Sequence, residues 1–141
     1  MKVLVIHGPN LQLLGKREPE VYGSKTLKQI DDEIRKHAKT LGVTVTTFHS
    51  NHEGDIVDKI GAAIGQFDAL VINPGAFTHT SVAIRDAISG AGISAVEVHL
   101  SNVHAREEFR RHSYIAPVCK GSICGFGSMS YILAIEALAG K

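Results

Sequence analysis

Short apolar runs alternate with stretches of helical period along all 141 residues, and this alternation restricts the fold more than any other feature. A strand that is apolar at consecutive positions must be covered on both faces, as parallel strands with crossover helices are. The runs are Val3–Ile6, Val43–Phe48, Ala69–Ile72, Ser94–Val98 and Gly121–Cys124. Between them, Leu27, Ile30, Ile34, Ala38 and Leu41 make one helical stripe, and Ile56, Ile60, Ala63, Ile64 and Phe67 a second. Ile84, Ala87, Ile88 and Ala91 make a third, and Met129 to Leu138 is an almost wholly apolar last helix. The spacing also predicts a short polar helix over Ala105–Arg111, and Gly42 and Gly92 stand where helix C-caps belong. Repeated βαβ units of this kind predict an α/β fold: a flavodoxin-like three-layer α/β/α sandwich. Its five-stranded parallel sheet takes the order 2-1-3-4-5, in a single domain over residues 1–141.

That strand order sets strands 1, 3 and 4 side by side, and ligands in open parallel sheets bind at the strand C-termini near the switch point. All three strand ends carry chemistry. After Ile6 comes a loop from His7 to Tyr22, in which Arg17 and Tyr22 stand five residues apart between Gly15, Pro19 and Gly23. This loop is too rich in Gly and Pro to be a helix and reads as a mobile lid over about residues 15–23. After Ile72 come Asn73, Pro74, Gly75, Ala76, Phe77, Thr78, His79, Thr80 and Ser81. After Val98 come His99, Leu100, Ser101 and Asn102, with Glu97 two residues before the histidine.

Each of these residues also has an ordinary structural reading. Tyr22 can lay its ring on the core with its hydroxyl in water, and Arg17 can be a solvated charge. Asn10 and Asn73 can be turn residues, Thr78 or Thr80 an N-cap, and His79 an early helix residue. His99 can be a satisfied strand-end histidine held by Glu97. Structural accidents do not concentrate at three adjacent strand ends, so together these residues predict a catalytic cleft.

Composition narrows the chemistry. A formal net charge of +1 offers no attraction to nucleic acid or to a membrane surface. Aromatic content of 6% without Trp argues against stacked flavin or single-stranded nucleic acid. No apolar run approaches a membrane span, and Met1-Lys2 leads straight into a strand, so no signal peptide is expected. A cytoplasmic protein with Cys119 and Cys124 reduced follows, and a Cys-x4-Cys pair without other ligands is not a zinc site. His49 and His52 lack a third ligand nearby in sequence, so no metal is expected.

The residues also spell a family. Gly8-Pro9-Asn10-Leu11, Gly15, Arg17-Glu18-Pro19 and Tyr22-Gly23 resemble the signature of type II 3-dehydroquinate dehydratases. Ser50–Gly54, Ile72–Ser81, Glu97–Asn102 and Arg106–Ser113 resemble that family as well, so the likeness covers nearly the whole chain. Two positions depart from the pattern: His7 and Gln12, at the loop root, each stand where asparagine is expected. The resemblance implies loss of water from 3-dehydroquinate to give 3-dehydroshikimate through an enolate, without Schiff base, metal or other cofactor. It leaves open whether the role is biosynthetic or quinate-catabolic. By resemblance, Tyr22 as tyrosinate takes the proton and Arg17 favours its ionised form. Asn10 positions a water on the enolate, and His99, oriented by Glu97, protonates the leaving hydroxyl. Ser101 and the Leu100 backbone hold the carboxylate, and Asn73, His79 and Arg110 bind the ring hydroxyls.

Magnitudes say when Arg17 can suffice. Bringing a phenol from about 10 to about 7 takes about 4 kcal/mol of differential stabilisation. One charge at about 4 Å supplies about 4 kcal/mol at an effective dielectric near 20, but only about 1 in water. Lid closure is therefore expected to be part of the mechanism, with Gly15 and Gly23 as hinges.

Asp86 falls on the far side of the third helix from Ile84 and cannot easily reach its own cleft. It is either a solvated helix surface or, as the resemblance implies, a residue entering a neighbouring subunit's site in a dodecamer of four trimers. Three other functions compete. A flavodoxin-like binding or receiver module would want acidic residues or a Thr/Ser-Gly phosphate loop after strand 1. A different small-acid lyase or isomerase could use the same groups. A Schiff-base dehydratase would want a lysine, and only Lys16 stands at these strand ends.

Overall fold

The computed structural model describes residues 1–16 and 18–140. Among them, five strands form one parallel sheet in the order β2-β1-β3-β4-β5, the order expected from the sequence. The strands are β1 (Lys2–His7), β2 (Thr44–His49), β3 (Ala69–Asn73), β4 (Ser94–His99) and β5 (Gly121–Cys124). The helices are α1 (Pro19–Tyr22), α2 (Leu27–Thr40), α3 (Glu53–Ala62), α4 (Val82–Ala91) and α5 (Met129–Ala139).

Alternate strand residues feed two cores. Val3, Val5, Val71, Val96 and Val98 pack toward α2 and α5, against Ile30, Ile34, Ala38, Tyr131 and Ile135. Leu4, Ile6, Leu70, Ile72 and Ala95 pack toward α3 and α4, against Ile56, Ile60, Ile84 and Ile88. Helix α2 begins where Thr26 and Gln29 form a reciprocal capping box, which satisfies two otherwise orphaned N–H groups. It ends at Thr40, two residues before a left-handed Gly42, and Val43 N–H closes on the Ala38 carbonyl in a Schellman turn. Ile30 and Ile34 are at most 1% exposed, and burying each contributes about 1.5–3 kcal/mol.

The structure corrects four expectations. The helix expected over Ala105–Arg111 does not form. Two 3-10 turns, Val103–Ala105 and Glu108–Arg111, flank an extended Arg106, because Asn102 caps the first turn at His104. The Gly- and Pro-rich loop does contain a helical turn, α1, for which Pro19 at the first position is already set. Ile64 is 58% exposed rather than on a buried stripe, since α3 stops at Ala62 and the chain turns through left-handed Gly65. Strand β2 begins at Thr44 and lies at the sheet edge, so it is only partly buried.

Candidate active site

The last residues of β1, β3 and β4 are His7, Asn73 and His99, so the sheet itself delivers the chemistry to one edge. Gly8 lets two of the following loops meet. Its N–H donates to the Asn73 carbonyl at 2.7 Å, and a Cβ there would stand 2.5 Å from the Pro74 carbonyl oxygen. Beyond this junction opens a cleft with about 590 Å³ of empty space, partly open to solvent. Asn10, Tyr22, Asn73, His79, His99, Leu100, Ser101 and Arg110 all line it. Among the described residues that line it, none is a lysine.

The cleft is held from behind by Glu97, which is 1% exposed. Glu97 Oε1 accepts from His99 Nε2 at 2.9 Å, from Thr78 Oγ1 at 2.5 Å and from Ser113 Oγ at 2.9 Å. Burial opposes ionisation here, but the hydrogen bond and charge of His99 and the two hydroxyls hold the carboxyl below its ordinary value. A carboxylate only accepts, so His99 carries a hydrogen on Nε2, and Nδ1 is the nitrogen left to exchange a proton with a reacting group.

His79 presents the opposite face of the same logic. Its Nδ1 donates to the His112 carbonyl at 2.8 Å, and burial lowers its proton affinity against the pull of that carbonyl. The neutral ring then offers Nε2 as an acceptor to a hydroxyl. Asn73 is 3% exposed, its Oδ1 accepting from Gly75 N–H at 3.1 Å and its Nδ2 donating to the Tyr131 hydroxyl at 3.1 Å. One Nδ2 hydrogen therefore remains. Asn10 sits in the left-handed region at φ 69°, where asparagine is tolerated, and its N–H donates to Asn51 Oδ1 at 2.9 Å. Arg110 reaches the cleft while its guanidinium forks onto Glu107 at 3.1 and 3.3 Å.

Tyr22 ends α1 half-buried at the cleft, with the Arg106 guanidinium 5.1 Å from its ring centroid. Arg106 also donates to Ser101 Oγ at 3.3 Å, so one side chain joins Tyr22 to the β4 end of the cleft. Arg17 lies outside the described residues. Asp86 is exposed on α4 and does not line its own chain's cleft.

Sequence reasoning missed the roles of Thr78, Arg106, Ser113 and Tyr131. Thr78 looks like an N-cap, but Ser81 caps α4 by accepting from Ile84 N–H at 2.9 Å, which frees Thr78 for Glu97. Arg106 and Ser113 bound the stretch that carried the family resemblance, a signal that could have found them. Tyr131 was hidden in an apolar helix.

Comparison with known proteins shows the family and the fold. The family profile described as dehydroquinase class II matches residues 1–139. The 3-dehydroquinate dehydratase of Geotalea daltonii is 56% identical over 138 residues, 98% of this chain and 96% of its own. The catabolic 3-dehydroquinase 1 of Neosartorya fischeri is also 56% identical, over 97% of this chain and 91% of its own. The crystal structure of the type II dehydroquinase from Butyrivibrio crossotus superposes with a TM-score of 0.96 at 47% identity, covering 100% of this chain and 98% of the other.

Proposed function

The chain belongs to the class II dehydroquinases, and on that premise we propose how its cleft divides the work of the reaction. It is a lyase of the shikimate pathway that removes water from 3-dehydroquinate to give 3-dehydroshikimate. The substrate is a β-hydroxy ketone, so elimination needs a base at the carbon next to the carbonyl, a means of holding the enolate, and an acid for the departing hydroxyl. Tyr22 takes the proton, assisted by Arg17 and by the Arg106 guanidinium facing its ring. A water held by Asn10 stabilises the enolate oxygen. His99, doubly protonated when it acts as the acid, gives up the proton on Nδ1 to the hydroxyl as the carbon–oxygen bond breaks and keeps its Nε2 hydrogen on Glu97. Ser101 and the Leu100 backbone hold the substrate carboxylate, with Arg106 behind Ser101. Asn73, His79 and Arg110 take the ring hydroxyls, the arginine after leaving Glu107. The observation that carries this reading is the buried His99–Glu97 pair, which leaves one imidazole nitrogen for the cleft that Tyr22 also lines.

The active form in this reading is a cytoplasmic dodecamer of four trimers, with Asp86 completing the site of a neighbouring subunit. Its exposure on α4, away from its own cleft, supports that role. Among the described residues no helix is long and apolar enough to cross a membrane.

The test is to add 3-dehydroquinate and follow the ultraviolet absorbance of the conjugated enone. Arg17→Ala and Tyr22→Phe are each expected to lose nearly all turnover while remaining folded. Near wild-type rates in either variant would remove the assigned base chemistry. Treatment with borohydride in the presence of substrate is expected to leave the enzyme active, because no lysine among the described residues lines the cleft.

A further inference from the structure

His7 stands where the family pattern leads one to expect asparagine, and it is completely buried. Its Nε2 meets Asp31 Oδ1 at 2.7 Å and its Nδ1 meets the Tyr131 hydroxyl at 2.8 Å. The same hydroxyl accepts from Asn73 Nδ2 at 3.1 Å. Four side chains from β1, α2, α5 and β3 thus form one continuous line that runs from helix α2 into the cleft.

Elementary donor counting gives this line a direction. The Asp31 carboxylate only accepts, so the His7 proton lies on Nε2. Asn73 must donate through Nδ2, because its Oδ1 is already engaged by the Gly75 N–H. The Tyr131 oxygen therefore receives the Asn73 hydrogen and sends its own to His7 Nδ1. Burial pushes this phenol far above the ordinary tyrosine range, so that hydrogen stays in place. A doubly protonated His7 would leave the phenol hydrogen without this acceptor. His49 pairs with His7 in the sheet register, and burial lowers its proton affinity, so it stays neutral at pH 7. Asp31 supplies a negative charge at this end of the line.

We propose that Asp31, His7 and Tyr131 are positioning residues that lock the Asn73 carboxamide with its free N–H toward the bound ring. The consequence is specificity: this subsite accepts a hydroxyl oxygen and disfavours a group that can only donate. The inference rests on the assignment of Asn73 as a ring-hydroxyl ligand, and it adds three residues from outside the cleft.

Two experiments test it. In the uniformly ¹⁵N-labelled wild-type enzyme, His7 is expected to show a protonated Nε2 and a bare Nδ1, as its hydrogen bonds require. The opposite tautomer or a charged ring would overturn the relay. In the same sample, one Asn73 amide hydrogen is expected to shift when 3-dehydroshikimate is added, and two unmoved hydrogens would also count against it. Kinetically, Tyr131→Phe removes one oxygen and is expected to raise KM for 3-dehydroquinate about 3–10-fold, with kcat moving less than about 2-fold. In an Asn73→Ala background the same substitution is expected to add nothing. A further rise of equal size would show that Tyr131 acts only through general packing. If Tyr131→Phe does not fold, the wild-type measurements still decide the matter. Lack of turnover by the wild-type enzyme would instead defeat the proposed function and leave the tautomer result standing.

Discussion

Three donors, from His99, Thr78 and Ser113, converge on the Glu97 carboxylate in a place water does not reach. In the native state this carboxyl is held below its ordinary value near 4.5, whereas in the unfolded chain it protonates at that value. Its contribution to stability is therefore complete above about pH 4.5 and is lost as the pH falls through the native value. Glu97→Gln sets an amide among groups that donate, and should cost about 1–3 kcal/mol at pH 7. In urea titrations from pH 7 to 3 the gap between wild type and variant is expected to narrow at the acid end. A gap of constant size would mean that Glu97 is not ionised in the native state. The pairing of Glu97 with His99 was legible two residues apart in sequence. Its Thr78 and Ser113 partners, 19 and 16 residues away, were not, because a hydroxyl gains such a role only from where loops bring it.

At the level of elements, the cleft depends on how closely the loops after β1 and β3 approach. Gly8→Ala would drive a Cβ into the backbone of Pro74, which cannot give way as a flexible side chain would. The expected cost is about 2 kcal/mol or more, with a parallel loss of kcat/KM as Asn10 and Asn73 move apart. Gly54→Ala is the control: its Cβ meets nothing within 4 Å on α3, and a gain of about 0.5–1 kcal/mol is expected. Denaturant midpoints for the pair decide the point, and a Gly8→Ala protein as stable as wild type would dissolve the close-contact argument. The long helices were legible because their stripes repeat over several turns. The Ala105–Arg111 segment was not, since Asn102 and the reach of Arg106 to Ser101 and Tyr22 outweigh its weak helical preference.

For the whole molecule, the proposed trimer makes a complementation experiment possible. Tyr22→Phe and Asp86→Ala damage the same site from different subunits, so each homo-oligomer is expected to be weak. Co-assembled subunits should regain activity at roughly a quarter of the sites, because some combine an intact Tyr22 with a neighbour's intact Asp86. No recovery in mixed particles, or full activity from a monomer in sedimentation experiments, would remove Asp86 from the neighbouring site. Sequence alone determined the layers, the strand order and the edge at which the chemistry gathers, because hydrophobic period and short crossovers leave few ways to cover a parallel sheet. It also supplied the residue types for elimination. Only the tertiary structure decided which polar groups face one another: His7 on Tyr131 and Asp31, Thr78 and Ser113 on Glu97, Arg106 over Tyr22. The physical reason is range. Burial patterns are written locally every two or four residues, whereas a hydrogen bond within about 3 Å depends on where distant segments finally pack.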